Sequence, residues 1–268
     1  MSQSSPPQPS TSPLSALGEA LRFLTIIPIP GLPPMTEHGI VRAMPFFPVA
    51  GLLIGAATAA IGWGAGWLWG DLVRAVALVV AGAVLTAGLH LDGVADSCDA
   101  LFSWRPRERK LEIMKDSRIG TMGALGLFTV ILLKVAAYAS LGTYWWQAAL
   151  LAPLWGRWAD IYGIWWFPAA SEGGMGRTFH DQVRRRDFVI ATIIAVALSL
   201  ALWWPWGALS ALCMTPIIHW LAHRMTRSLG GLTGDTYGAL AEAGEVLTLL
   251  AFLAFLRLNP ALPFLSFP

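Results

Sequence analysis

Seven apolar stretches, at roughly 46–69, 73–95, 121–141, 145–167, 188–204, 208–225 and 241–258, constrain this chain more than any other feature. A bilayer core about 30 Å thick takes about 20 apolar residues per crossing helix. Inside hydrocarbon every backbone N–H and C=O must pair within its own structure, which leaves the helix as the open spanning element. The pattern therefore predicts an all-α, polytopic transmembrane helical bundle of about seven spans. Composition agrees. Hydrophobic residues make up 56% of the chain and charged ones 13%, with a mean hydropathy of +0.59, whereas soluble domains carry about 25% charged residues. Several of the fourteen Trp, among them Trp67, Trp69, Trp145, Trp146, Trp203, Trp204 and Trp206, stand near the ends of apolar runs, where an indole bridges hydrocarbon and headgroups.

The loops between these stretches fall into two sets of unequal charge. Residues 96–120, 168–187 and 226–240, with the N-terminal segment and adjoining helix ends, hold fourteen of the eighteen Lys and Arg. By the positive-inside rule that set, and with it the N-terminus, is cytoplasmic. MSQSSPPQPSTSP at 1–13 has no apolar run and reads as a disordered tail rather than a cleaved signal. Residues 14–268 read as a single integral membrane domain. Leu14 to Pro28 suits a short amphipathic helix that the Pro-rich PIPGLPP ends. A net charge of +2 argues against nucleic acid as a partner. Cys98 and Cys213 suggest neither a disulfide framework nor a zinc site. The Gly51, Gly55 and Gly62, Gly66 spacings fit close helix contacts.

Chemistry gathers on the charged side. In GLHLDGVADSCDALF at 88–102, Asp92, Asp96 and Asp99 stand at helical offsets of zero, four and seven and share one stripe. Clustered carboxylates beside an apolar bundle repel one another unless protons or cations neutralise them. A hard divalent ion, magnesium, satisfies oxygen donors and leaves room for phosphates; the alternative is a helix end with solvated acids. Gly93 permits close backbone approach, and His90 points away from the stripe. Residues 107–115 suit a short helix ending near Asp116. Asp116 and Arg118 then offer a further carboxylate and a phosphate-binding cation, or else a helix-end acid and a topological anchor. Arg157 and Asp160, three apart within the fourth stretch, are placed to pair along one helix face, with Arg157 also a phosphate or substrate candidate. Arg184, Arg185 and Arg186 read as membrane anchors, and Arg177, after the flexible GGMG, as a weaker candidate for a substrate lid.

HLDGVADSCDALF followed by EIMKDSRIGTMG resembles the signature of the cobalamin synthase family, the adenosylcobinamide-GDP ribazoletransferases. The likeness continues in FLTIIPIP, FFPVAGLLIG at 46–55, PLWGRWAD at 153–160 and GGLTGDTYGALAEAGEV at 230–246, so it covers nearly the whole chain after the tail. Ile26 departs from it, since members usually carry a basic residue there. The resemblance implies that a hydroxyl of alpha-ribazole, or of its 5'-phosphate, attacks the cobinamide-bearing phosphate of adenosylcobinamide-GDP and releases GMP. The reading of the residues agrees with that class of reaction: magnesium held by Asp92, Asp96 and Asp99 would bind the pyrophosphate, with Asp116 as general base or further ligand and Arg118 as phosphate clamp. His90, Arg157, Asp235, Glu242 and Glu245 become candidate substrate contacts, with structural hydrogen bonding as the other reading. The implied location is the bacterial cytoplasmic membrane, with the active site facing the cytoplasm and self-association left open. A CDP-alcohol phosphotransferase using similar acids, or a cation transporter, are the alternatives.

Overall fold

The computed structural model describes residues 12–258 apart from 172 and 205. Most of the expected N-terminal tail, the C-terminal NPALPFLSFP and the side chain of Trp206 lie outside the described residues. Twelve α-helices are described: α1 (Pro13–Leu24), α2 (Glu37–Ala43), α3 (Phe47–Trp69), α4 (Asp71–Leu85), α5 (Leu89–Leu101), α6 (Arg107–Ile113), α7 (Thr121–Ser140), α8 (Trp145–Trp166), α9 (Met175–Gln182), α10 (Arg185–Leu202), α11 (Trp206–Leu229) and α12 (Gly234–Leu258). An isolated parallel bridge, Ala169 with Leu232, accompanies them. Three helical stretches, Glu37–Trp69, Thr121–Ser140 and Gly234–Leu258, are long and apolar enough to cross a membrane, and α4 with α5 makes a fourth as a bent pair. Helices α8, α10 and α11 occupy the other three expected stretches.

Helix α8 is the axis of the bundle, buried almost without interruption from Ala148 to Ile164. Small residues let its neighbours come close. A Cβ added to Gly51 or Gly55 of α3 would collide with the α8 backbone at Pro153 and Ala149, and one on Gly156 would strike Glu245 of α12. Gly62 and Gly66 instead receive the side chains of Leu78 and Arg74 from α4. The Gly spacings thus serve close packing, as in lipid, where helices associate by direct contact of small residues rather than by expulsion of water.

The second expected span is the point of departure. A continuous helix over 73–95 is replaced by α4 and α5, which meet at 90°. The cause is local. Gly88 N–H donates to Ala83 O at 2.8 Å and Ala87 N–H to Val84 O at 3.1 Å, the paired bonds of a Schellman ending. Ala87 and Gly88 both take positive φ, 50° and 69°. Such a conformation costs about 1–2 kcal/mol at a residue with a Cβ, so Ala87 carries strain that a glycine there would not. Ile26 N–H donates to Leu85 O at 2.8 Å, satisfying one carbonyl that α4 leaves open. The turn re-aims the chain, so that α5 presents its acidic stripe beside α12 and α7 instead of continuing the line of α4.

Candidate active site

A cleft of about 930 Å³ opens where the segment after α1, the α4–α5 turn, the loop between α6 and α7, and the start of α12 meet. Asp92 and Asp96 line it from α5, Asp116 from the loop, and Asp235 from α12. Two separate sequence features place Asp235. The Thr233–Thr236 pair caps α12, with Thr236 N–H donating to Thr233 Oγ1 at 3.3 Å and Thr233 N–H to Thr236 Oγ1 at 2.7 Å. Gly93 lets α5 sit directly on the Asp235 backbone, because a Cβ at that position would collide with the Asp235 carbonyl. Asp96 accordingly lies in the combined negative field of Asp92, Asp235 and Asp99. Lys115 is the one cation among the described residues that line the cleft, while Phe23, Ile26, Leu89, Leu91 and Ile119 give it an apolar wall.

Asp99 parts from the other two members of its stripe. Its carboxylate accepts Gly120 N–H at 2.6 Å and Gly123 N–H at 2.8 Å, capping the start of α7, where backbone donors lack helical partners. At seven residues it stands about 10 Å along the helix from Asp92, far enough to reach the next element. A Cβ on Gly120 or Gly123 would collide with that carboxylate. The sequence grouped Asp99 with the metal ligands; in the structure each of its oxygens accepts one backbone N–H from the start of α7. Asp116 is bound to Arg118, whose Nη2 donates at 2.6 Å and Nε at 3.0 Å. This exposed pair holds the Asp116 carboxyl down at about 2, chiefly through the side-chain hydrogen bond. Arg118 remains free to swing, its side chain being 86% exposed.

The remaining candidates form a second, buried group. Arg157 pairs with Glu245 of α12 rather than with Asp160 on its own helix, and Lys134 of α7 pairs with both Glu242 and Glu245, the latter at 2.7 Å. The expected Arg157–Asp160 pair is thus replaced, because α12 brings a carboxylate across the bundle while Asp160 turns toward His90. His90 Nε2 stands 3.4 Å from Asp160 Oδ2, both side chains being buried. Among the described residues, both Asp160 oxygens and His90 Nδ1 lack hydrogen-bond partners. His90, Arg157, Glu242 and Glu245, read from sequence as substrate contacts, do not line the cleft. A small void lies against Lys134, Arg157, Glu242 and Glu245. Sequence reasoning passed over Lys134; its signal was a single cation in the middle of an otherwise apolar stretch, which membrane burial makes informative. Cys98 packs against Gly126 of α7, in keeping with its expected packing role.

The cleft's donor set suits a hard divalent cation, since three carboxylates on two helices face one space with little positive charge beside them. The set is open: among the described residues no three His, Cys, Asp or Glu side chains are arranged to hold a metal by themselves. Magnesium usually keeps waters and takes substrate phosphates as further ligands, so an open set is compatible with it.

The family model for cobalamin-5-phosphate synthase matches residues 16–253. A protein of Roseiflexus sp. (strain RS-1) named adenosylcobinamide-GDP ribazoletransferase is 56% identical over 237 residues, 88% of each chain. One of the same name from Herpetosiphon aurantiacus is 54% identical over 243 residues, 90% of this chain and 97% of its own. A third, from Klebsiella pneumoniae (strain 342), is 37% identical over 242 residues, 87% of this chain and 97% of its own. No solved structure matches the chain. The match to the family model spans both halves of the cleft, α5 with Asp92 and Asp96 and α12 with Asp235, and on this ground the chain belongs to the cobalamin-5-phosphate synthase family.

Proposed function

We propose that this chain is an adenosylcobinamide-GDP ribazoletransferase, joining alpha-ribazole or its 5'-phosphate to adenosylcobinamide-GDP with release of GMP. The observation that carries the reading is the convergence of Asp92, Asp96 and Asp235 on one cleft from helices that are far apart in sequence. The names of the relatives supply the substrates.

In the reaction a hydroxyl oxygen forms a bond to the phosphorus that bears cobinamide, the bond from that phosphorus to the GMP oxygen breaks, and the hydroxyl loses its proton. Asp92, Asp96 and Asp235 would hold magnesium. When bound, that ion supplies positive charge to the pyrophosphate and to the departing GMP. Asp99 serves by capping α7, which fixes the loop bearing Asp116 and Arg118. Arg118 reaches a phosphate oxygen by leaving Asp116, a planar guanidinium being suited to that contact. The same move frees the Asp116 carboxylate, whose affinity for a proton then rises, to accept one from the attacking hydroxyl. Thus the Asp116–Arg118 pair keeps the base inactive until phosphate arrives.

We place the protein in the bacterial cytoplasmic membrane with seven spans, counting the bent α4–α5 pair and α8, α10 and α11. The N-terminus and the cleft face the cytoplasm. Charge sorting among the loops supports this orientation. Cysteines introduced at Ser117 or Gly173 would then resist an impermeant thiol reagent added outside intact cells, and labelling at either would reverse the map.

Purified protein supplied with adenosylcobinamide-GDP, alpha-ribazole and magnesium should release GMP and form the joined product. Release should stop when either alpha-ribazole or magnesium is withheld. GMP formation at the full rate without alpha-ribazole would replace transfer with hydrolysis, and no GMP under any condition would reject the reading.

A further inference from the structure

Away from the cleft, one guanidinium ties three distant segments together. Arg107, the first residue of α6, donates from Nε to Leu229 O at 2.7 Å and from Nη2 to Ala170 O at 2.6 Å. Leu229 ends α11, so its carbonyl is one that the helix leaves open at its negative end. Ala170 belongs to the link between α8 and α9, and its N–H donates to Leu232 O at 2.8 Å, while Leu232 N–H donates to Pro168 O at 2.8 Å. Gly230 has φ +77°, and a Cβ there would stand 2.6 Å from Arg107 Nε. A Cβ on Gly231 would strike the Ala169–Ala170 peptide at 2.5 Å. Lys110, one turn further along α6, donates to Ser228 Oγ at 2.7 Å. The turn between α11 and α12 is therefore clasped by α6 on one side and by the α8–α9 link on the other. Asp235 follows it directly.

We propose that Arg107 is a positioning residue for the acidic cleft: by clasping the 229–234 turn it sets where Asp235 stands relative to Asp92 and Asp96. The connection is short. Arg107 follows α5, the helix of Asp92 and Asp96, by six residues, and its two acceptors fix the turn that opens α12. Gly93 against the Asp235 backbone is the second restraint, at the cleft itself. With both in place Asp235 is located from two sides. Without the guanidinium it keeps the α5 contact, while the chain leading into it loses the bond that joins the end of α11 to the α8–α9 link and keeps only Lys110–Ser228 and the Leu232 backbone bonds. This inference rests on Asp235 serving the transfer reaction, but the clasp itself is measurable without any turnover.

The test uses the full chain in lipid nanodiscs, as wild type, Arg107→Gln and Arg107→Lys. In Arg107→Gln, amide exchange in a peptide covering 229–235 should quicken by about tenfold, while that of 92–99 stays as in wild type. GMP release should fall about tenfold or more in kcat, with KM within about twofold. Arg107→Lys, with one ammonium in place of a two-acceptor fork, should recover part of both losses. In an Asp235→Asn background, Arg107→Gln should change kcat by less than about twofold, because the two residues act through one position. Unchanged exchange at 229–235 overturns the clasp, whatever the protein catalyses. An equal kcat loss with and without Asp235 overturns its action through that residue. If Asp235→Asn leaves no measurable turnover, a KM rise without a kcat loss in Arg107→Gln overturns it instead.

Discussion

The cleft and the buried cluster contain similar residues and are arranged in opposite ways. In the cluster, Glu242 and Glu245 meet Lys134 and Arg157, so two carboxylates find two cations inside the protein. In the cleft, Asp92, Asp96 and Asp235 face one another with Lys115 as the one lining cation described. A buried charge must be compensated. The cluster is compensated by its own chain and holds α7, α8 and α12 together. The cleft acids, Asp92 exposed and Asp96 and Asp235 half-buried, have no such partners, and on the proposed reading a bound cation compensates them.

Five substitutions probe this contrast. Asp92→Asn or Asp96→Asn should lower turnover by about a thousandfold or more, a loss of the size seen when charge stabilisation in a transition state is removed. Their thermal unfolding should stay near that of wild type; near-normal turnover at saturating magnesium would remove both from the metal. Lys134→Met should do the reverse, destabilising by about 3–5 kcal/mol by leaving two buried carboxylates short of a partner. An unfolding midpoint equal to wild type would show that the cluster is not what holds these helices.

Asp116→Asn should reduce the maximal rate about a hundredfold with little change in the magnesium dependence, as expected for a lost proton acceptor. A base works only when ionised, so wild-type activity should fall as pH drops through the pKa of the substrate-bound carboxyl, and that limb should vanish in the variant. A shift of the magnesium curve with full recovery of rate would make Asp116 a ligand instead. Asp99→Asn has the smallest expected effect, about 1 kcal/mol of stability from a weakened helix cap, with activity largely kept. A loss as deep as that of Asp92→Asn would return Asp99 to the metal site.

Much of this was legible in the sequence, and the failures have physical causes. Asp92 and Asp96, four apart, share a face because helical geometry leaves no alternative. Asp99 fits the same periodicity, yet its oxygens go to α7, which angular position on one helix cannot reveal. The break at Ala87 carried a weak signal, since left-handed backbone is the province of glycine and Gly88 alone hinted at it. Asp235 was recognisable as a polar group at a glycine-rich helix start. Its meeting with α5 depends on Gly93, whose need for close approach was visible but whose partner was not. Arg157 found Glu245 rather than Asp160 because pairing across helices competes with pairing along one, and a single chain read in order shows the second kind alone.

On the proposed reading Asp92, Asp96 and Asp235, and not Asp99, form the cation-binding part of the cleft. Calorimetric titration of magnesium into the purified protein with adenosylcobinamide-GDP present tests it most directly. Magnesium affinity should weaken by about tenfold or more in Asp92→Asn, Asp96→Asn and Asp235→Asn, and stay within about twofold of wild type in Asp99→Asn. Undiminished affinity in Asp235→Asn, or an equal loss in Asp99→Asn, would contradict the account.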